Sequence, residues 1–211
     1  PVNQFFLYCA TTGLTTHHLS NLLPILDNAT IMAKTTNLPD FTFEISAGGI
    51  VAGVDEAGRG SWAGSVVAGA VILNPNKLPI GIDDSKKLSA AKREILYEEI
   101  LQTARTAVGI STVEEIDRLN ILEATKLAMQ RAVAMLGNIN INMVLIDGNK
   151  APALPFPTQT IIGGDGKSLS IAAASIIAKV TRDRIMCELA EQHPVYGWER
   201  NAGYGTKHHE E

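Results

Sequence analysis

Three short apolar segments of this chain each run into acid. Ile50-Val51-Ala52-Gly53-Val54 ends in Asp55 and Glu56, Asn142 to Ile146 ends in Asp147, and Gln159 to Ile162 passes through two glycines into Asp165. Such segments read as buried strands, and α/β folds place their ligands at the edge where strands leave the sheet. Adjacent carboxylates beside an apolar core are costly unless a cation neutralises them. Oxygen donors without His or Cys select Mg²⁺ or Mn²⁺ over zinc. If the three strand ends are neighbours, four carboxylates converge, a donor set suited to two-metal hydrolysis of a phosphodiester. A plainer reading makes Asp before Gly a turn former. It weighs most on Asp147 and least on Asp55-Glu56, which precede the glycine-flanked cation Gly58-Arg59-Gly60.

Positioning these groups requires a sheet with helices, and the pattern from Gly49 onward supplies one. Ser65 to Leu73, closed by Asn74-Pro75-Asn76, and Ala104 to Ser111 read as further strands, giving the sheet an antiparallel start. Ser89 can cap a helix over Ala90 to Gln102, Asn120 one over Ile121 to Leu136 that stops at Gly137, and Ser168 or Ser170 a long helix through Ala190. The alternation predicts a layered α/β domain over 48–211. Residues 1–47, rich in Thr, Asn and Leu and poor in charge, read as a poorly ordered extension, with Met32 a plausible alternative start.

Composition narrows the function. A formal net charge of −4 over 211 residues argues against a sequence-independent DNA coat, which needs a broad basic surface. Cys9 and Cys187 lie too far apart for a disulfide framework or Cys-based zinc site, so a reducing cytoplasm is expected. No apolar stretch approaches the ~20 residues of a membrane span, and, without a basic n-region and a long apolar h-region, no secretory signal is expected.

Other motifs are weaker. Gly163-Gly164-Asp165-Gly166-Lys167-Ser168 has two residues where a phosphate loop needs four between its glycines. Gly58-Arg59-Gly60 has Ala63 where a dinucleotide fingerprint wants its third glycine. Lys86 and Lys87 in the loop Asp84-Ser85-Lys86-Lys87-Leu88 are phosphate-contact candidates, whereas Arg182 and Arg184 read as a solvated helix face. His17-His18 and His208-His209 lack zinc spacing and default to the surface. Tyr204, framed by Gly203 and Gly205, either stacks on a base or sugar or anchors its loop to the core.

Taken together, Val51 to Gly60, Asp84 to Leu88, Leu145 to Asn149, Gly164-Asp165, Ala173 to Asp183 and Gly203-Tyr204-Gly205-Thr206 closely resemble bacterial ribonuclease HII, in order, from about Gly49 to Lys207. The resemblance implies a ribonuclease H-like fold, a mixed five-stranded sheet flanked by helices. It also implies an endoribonuclease of replication and ribonucleotide excision repair, acting in the cytoplasm as a monomer. Its substrates would be RNA–DNA hybrids and single ribonucleotides embedded in duplex DNA, its products 5′-phosphate and 3′-hydroxyl ends. Asp55, Glu56, Asp147 and Asp165 would be the catalytic, metal-binding carboxylates for Mn²⁺ or Mg²⁺. The backbone of Gly58, Arg59 and Gly60 would touch the ribose 2′-hydroxyl, and Tyr204 would stack on the next sugar. Ser85, Lys86, Ser175 and Lys179 would support phosphate contacts, and Asp183 would be structural. Family members usually continue past the tyrosine loop with another helix, so the chain is expected to lack a C-terminal substrate-gripping part. Alternatives are a catalytically silent hybrid-binding module, a ribonuclease HIII-like enzyme, against which Arg59 and Asp165 argue, and a small-molecule phosphohydrolase with the same metal chemistry.

Overall fold

The computed structural model describes residues 38–206. Its centre is a five-stranded sheet of order β3-β2-β1-β4-β5, formed by β1 (Val51–Ala57), β2 (Val66–Ile72), β3 (Arg105–Ser111), β4 (Met143–Asp147) and β5 (Thr158–Ile161). β1 and β2 are antiparallel across a short loop, and β2 and β3 are antiparallel across a longer connection that carries a helix over Ala90–Thr103. β4 and β5 pair in parallel with β1 and with each other, because a helix or a long loop carries the chain back to the starting edge. The expected mixed sheet flanked by helices is therefore present.

Alternation along β1 sorts the two faces. Ala52 and Val54 pack with Val66, Ala68, Val144 and Ile146 against Ala128, Met129, Ala132 and Val133 of a helix over Ile121–Met135. The other face, with Val51, Val71 and Leu145, lies under a 24-residue helix over Leu169–Gln192, through Ile171, Ala173, Ile176 and Ile177. In chain order the helices are α1 (Thr42–Ala47), α2 (Ala90–Thr103), α3 (Val113–Leu119), α4 (Ile121–Met135), α5 (Leu169–Gln192) and α6 (Trp198–Asn201). Gly53 allows α5 to lie directly on the sheet, since a Cβ there would run into the backbone of Ser170 and Ile171.

Helix starts follow the expected side chains. Ser89 accepts from Lys92 N–H at 3.3 Å, Asn120 from Leu122 N–H at 3.0 Å, and Ser168 from Ile171 N–H at 3.2 Å. α3, which was not anticipated, has a capping box between Thr112 and Glu115.

Residues 38–47 fall within the segment expected to be poorly ordered, yet they are built onto the fold. Asp40 bridges to Ser168 in parallel, and α1 buries Glu44. The rest of that segment, with Cys9, His17, His18 and Met32, lies outside the described residues, as do Lys207, His208 and His209. Cys187 is an exposed free thiol. No described helix is long and apolar enough to cross a membrane.

Candidate active site

The register of β1 and β4 decides where the acids go. Val54 pairs with Ile146, so Asp55 and Asp147 are the next residues at the same edge of neighbouring parallel strands. β5 follows on the far side of β4, with Asp147 paired to Ile161. The chain then turns through Gly163, in the left-handed region at φ 63°, into a 3-10 turn over Gly164–Gly166 that carries Asp165. Asp147 Oδ1 accepts from the Gly164 N–H at 2.6 Å, which ties that turn to the end of β4. All four expected carboxylates are thus at one sheet edge. Asp55 is 4% and Asp165 7% exposed.

Their electrostatics record the crowding. Burial, then the charges of Glu56 and Asp147, push the Asp55 carboxyl well above its ordinary range. Glu56 is raised by burial against the opposing pull of Arg59, whose Nη1 lies 3.6 Å from Glu56 Oε1. Asp147 is raised by burial although the Gly164 N–H favours its anion. The Lys86 ammonium stands 3.2 Å from Asp165 Oδ2 and 3.9 Å from Asp84 Oδ1. Burial works against that ammonium, but Asp165, Asp84 and Asp55 outweigh it and raise its pKa. Among the described residues no three His, Cys, Asp or Glu side chains, as oriented here, enclose an ion position. Lys86 faces Asp165 and Arg59 faces Glu56. The donor set itself fits a hard divalent ion: oxygens only, in net negative surplus, with charge that one ammonium and one guanidinium leave uncompensated.

A cleft of about 400 Å³ opens beside the acids, lined by Asp55, Glu56, Ser85, Lys86, Lys179 and Tyr204 among others. Ser85 is buried, and its N–H donates to Ser175 Oγ at 3.3 Å, while Ser175 donates to Ala172 O at 2.8 Å. Ser175 therefore supports the Ser85 loop with its hydroxyl. Lys179 pairs with Asp183 at 2.7 Å and sits 5.6 Å from the centre of the Tyr204 ring. Tyr204 is at the cleft mouth, 36% exposed.

Two glycines of the Gly58-Arg59-Gly60 turn differ in kind. Gly58 has φ 100°, and a Cβ there would strike the Arg182 side chain and Ser65 O. A Cβ on Gly60 would meet no atom of the described residues within 4 Å.

Arg182 corrects one expectation. Read as part of a solvated face, it is 0% exposed. Its guanidinium donates to Ser65 O at 2.9 Å, Ala202 O at 2.8 Å, Ser61 Oγ at 2.7 Å and Ala63 O at 2.9 Å. It thereby fastens the loop after β1 to the loop carrying Tyr204. Burial lowers its pKa. The signal was its helical phase: Ala178, Arg182 and Met186 lie four apart and are all buried. Arg184 does face solvent, paired with Glu94 at 2.6 Å. Arg93, also missed, holds the Ser85 loop by donating to Ser85 O at 2.8 Å and Leu88 O at 2.6 Å.

With this geometry in place, comparison with known proteins is decisive. The family model described as Ribonuclease HII matches residues 52–211. The chain belongs to the ribonuclease HII family. It is 56% identical over 176 residues to ribonuclease HII of Paramagnetospirillum magneticum, covering 82% of this chain and 87% of that one. The ribonuclease HII of Ruegeria pomeroyi is also 56% identical over 176 residues, 81% of this chain and 75% of the relative. In structure the fold is similar to the ribonuclease HII solved in complex with PCNA from Archaeoglobus fulgidus, with TM-score 0.64, 30% identity and coverage of 75% of this chain and 83% of that one. The protein is accordingly a ribonuclease of the H class, and its ribonuclease H-like fold is that of other ribonuclease HII enzymes.

Proposed function

We propose that this ribonuclease HII cleaves RNA in RNA–DNA hybrids and at single ribonucleotides embedded in duplex DNA, using two Mg²⁺ or Mn²⁺ ions held by Asp55, Glu56, Asp147 and Asp165. The observation that carries this reading is the convergence of strand-end carboxylates beside a cleft that Lys86, Lys179 and Tyr204 also line, with Arg59 of the Gly58-Arg59-Gly60 turn paired to Glu56. When bound, divalent ions supply an activated water and neutralise charge on the leaving oxygen.

The chain's own residues do the rest. Asp55 and Asp147 are fixed by strand register and therefore face the scissile phosphate from a rigid platform. Lys86 and Lys179 contribute positive charge for the flanking phosphates at the same cleft. Gly60 lets a ribose approach the backbone of the turn, because a side chain there has no protein neighbour to justify its absence. Tyr204 stacks on the next sugar while Arg182, 5.5 Å from its ring centre, holds the loop beneath it. The products carry 5′-phosphate and 3′-hydroxyl ends, and no side-chain nucleophile is required.

The test is a labelled DNA duplex with one ribonucleotide, incubated with Mn²⁺, Mg²⁺ or chelator. A single metal-dependent cut 5′ to the ribonucleotide is expected. Cleavage that survives chelation, or that ignores the ribonucleotide, overturns the reading.

A further inference from the structure

We infer that Glu44, in the short helix preceding the sheet, is a positioning residue for Asp165; the inference rests on the reading of Asp165 as a metal-holding carboxylate. Glu44 lies upstream of the residues that the ribonuclease HII family model matches, 52–211. It is 3% exposed, which is costly for a carboxylate. Oε1 accepts from Ser168 Oγ–H at 2.6 Å and from Ser170 N–H at 2.8 Å, whereas Oε2 is buried with no hydrogen-bond partner among the described residues.

Glu44 caps α5 at the Ser170 N–H, but its other bond goes to a side chain rather than to the helix backbone. Ser168 already caps the helix by accepting from Ile171 N–H. What Glu44 adds is a fixed orientation for Ser168, whose hydroxyl now accepts from the helix and donates to Glu44 at once. The surrounding chain reinforces the same joint. Asp40 N–H donates to Lys167 O at 3.1 Å, and Leu169 N–H donates to Asp40 O at 3.0 Å.

The joint is next to the turn that matters. Lys167 N–H and Ser168 N–H both donate to Gly164 O, at 2.9 and 2.8 Å, closing the turn around Asp165. Its other end is held by Asp147 through the Gly164 N–H. Asp165 is therefore suspended between two anchors, Asp147 on β4 and Glu44 on α1. Slackening the Glu44 anchor leaves the sheet and the other three acids in place but lets Asp165 drift. Outer partners of metal-holding groups typically govern affinity or activity by ~10–100-fold.

The experiment compares wild type, Glu44→Ala and Asp165→Asn by circular dichroism melting, by kcat and KM on a duplex carrying one ribonucleotide, and by the Mn²⁺ concentration giving half-maximal thermal stabilisation. For folded Glu44→Ala, kcat is expected to fall and the Mn²⁺ midpoint to rise by about ten-fold, with KM for the duplex unchanged. Glu44→Gln, whose carbonyl oxygen can accept both bonds, should restore both values. If Glu44→Ala merely lowers the melting temperature while kcat and the Mn²⁺ midpoint stay at wild-type values, the proposal fails. Should that variant not fold, Glu44→Met fills the volume without acceptors and carries the same expectation. Failure of both to fold assigns Glu44 to stability alone and also overturns the proposal. An active Asp165→Asn would instead refute the reading of Asp165, independently of Glu44.

Discussion

Asp147 accepts a 2.6 Å hydrogen bond from the Gly164 N–H, so one acid of the site also sets the position of the turn bearing the next. The two roles can be separated by substitution. Asp147→Asn keeps an oxygen acceptor for Gly164 and removes a charge whose pKa burial has raised. It should melt at or above the wild-type temperature and lose metal-dependent cleavage. Asp147→Ala removes the acceptor as well, leaving the N–H of the buried Gly164 unpaired at a cost of about 1–3 kcal/mol. It should lose cleavage and melt several degrees lower. Equal melting temperatures for the two variants would show that the bond does not hold the turn.

The two glycines of the Gly58-Arg59-Gly60 turn should respond in opposite ways. Gly58→Ala forces a Cβ onto the Arg182 side chain and Ser65 O at positive φ, and should destabilise the fold. Gly60→Ala meets open space, so its melting temperature should be unchanged or raised, a Gly-to-Ala change being worth about 0.4–1 kcal/mol where it fits. Cleavage at a single ribonucleotide should nonetheless fall at least ~10-fold, since the added methyl stands where the ribose is to approach. Full cleavage by Gly60→Ala would remove this turn from the substrate contact.

Much of this was legible in the chain. The strands announced themselves as apolar runs punctuated by Asn-Pro-Asn or Asp-Gly; Asp55-Glu56 and Asp147 stood out because they directly follow such runs, and Asp165 because only two glycines separate it from one. Arg182 was hard to read as a buried group: its helical phase with Ala178 and Met186 was the one sign, while the loops that cover it, Ser61 to Ser65 and Ala202, are irregular and carry no periodicity. α1 and Glu44 were hidden for a related reason. Six helical residues are too few to show an apolar face, and the partner that buries Glu44 lies 124 positions away. α3, by contrast, left a readable sign in Thr112-Val113-Glu114-Glu115.

Arg182 is expected to matter for the joint between two loops more than for charge. Arg182→Met fills a similar volume but leaves the carbonyls of Ala63, Ser65 and Ala202 without their donor, at about 1–3 kcal/mol for the first unsatisfied group alone. The melting temperature should drop accordingly, about 2–4 °C per kcal/mol for a domain of this size. Limited proteolysis should then cut first near Ala202 and Tyr204. Protection of that loop equal to wild type would show that other contacts hold it.

The charge surplus at the sheet edge predicts how stability depends on pH and on divalent ions. Asp55, Glu56 and Asp147 all have folded pKa values raised above their ordinary ones, by burial first and also by neighbouring carboxylates, Asp165 being the neighbour that raises Asp147. Above the ordinary carboxylate range the unfolded chain has released these protons while the folded chain still holds them, so the folded state binds more protons. Stability must therefore fall as pH rises from the ordinary values of 3.8 and 4.5 through the raised folded ones. Asp55→Asn should flatten that decline and raise the melting temperature at neutral pH, because it removes the most deeply buried of the charges. Mn²⁺ or Mg²⁺ should offset the same repulsion in the wild type, stabilising it more at pH 8 than at pH 5, and should stabilise Asp55→Asn much less. Melting curves across pH with metal or chelator test all three statements. A wild-type melting temperature that rises with pH in chelator, or equal metal stabilisation of both proteins, would mean that Asp55 does not sit at the centre of the repulsion.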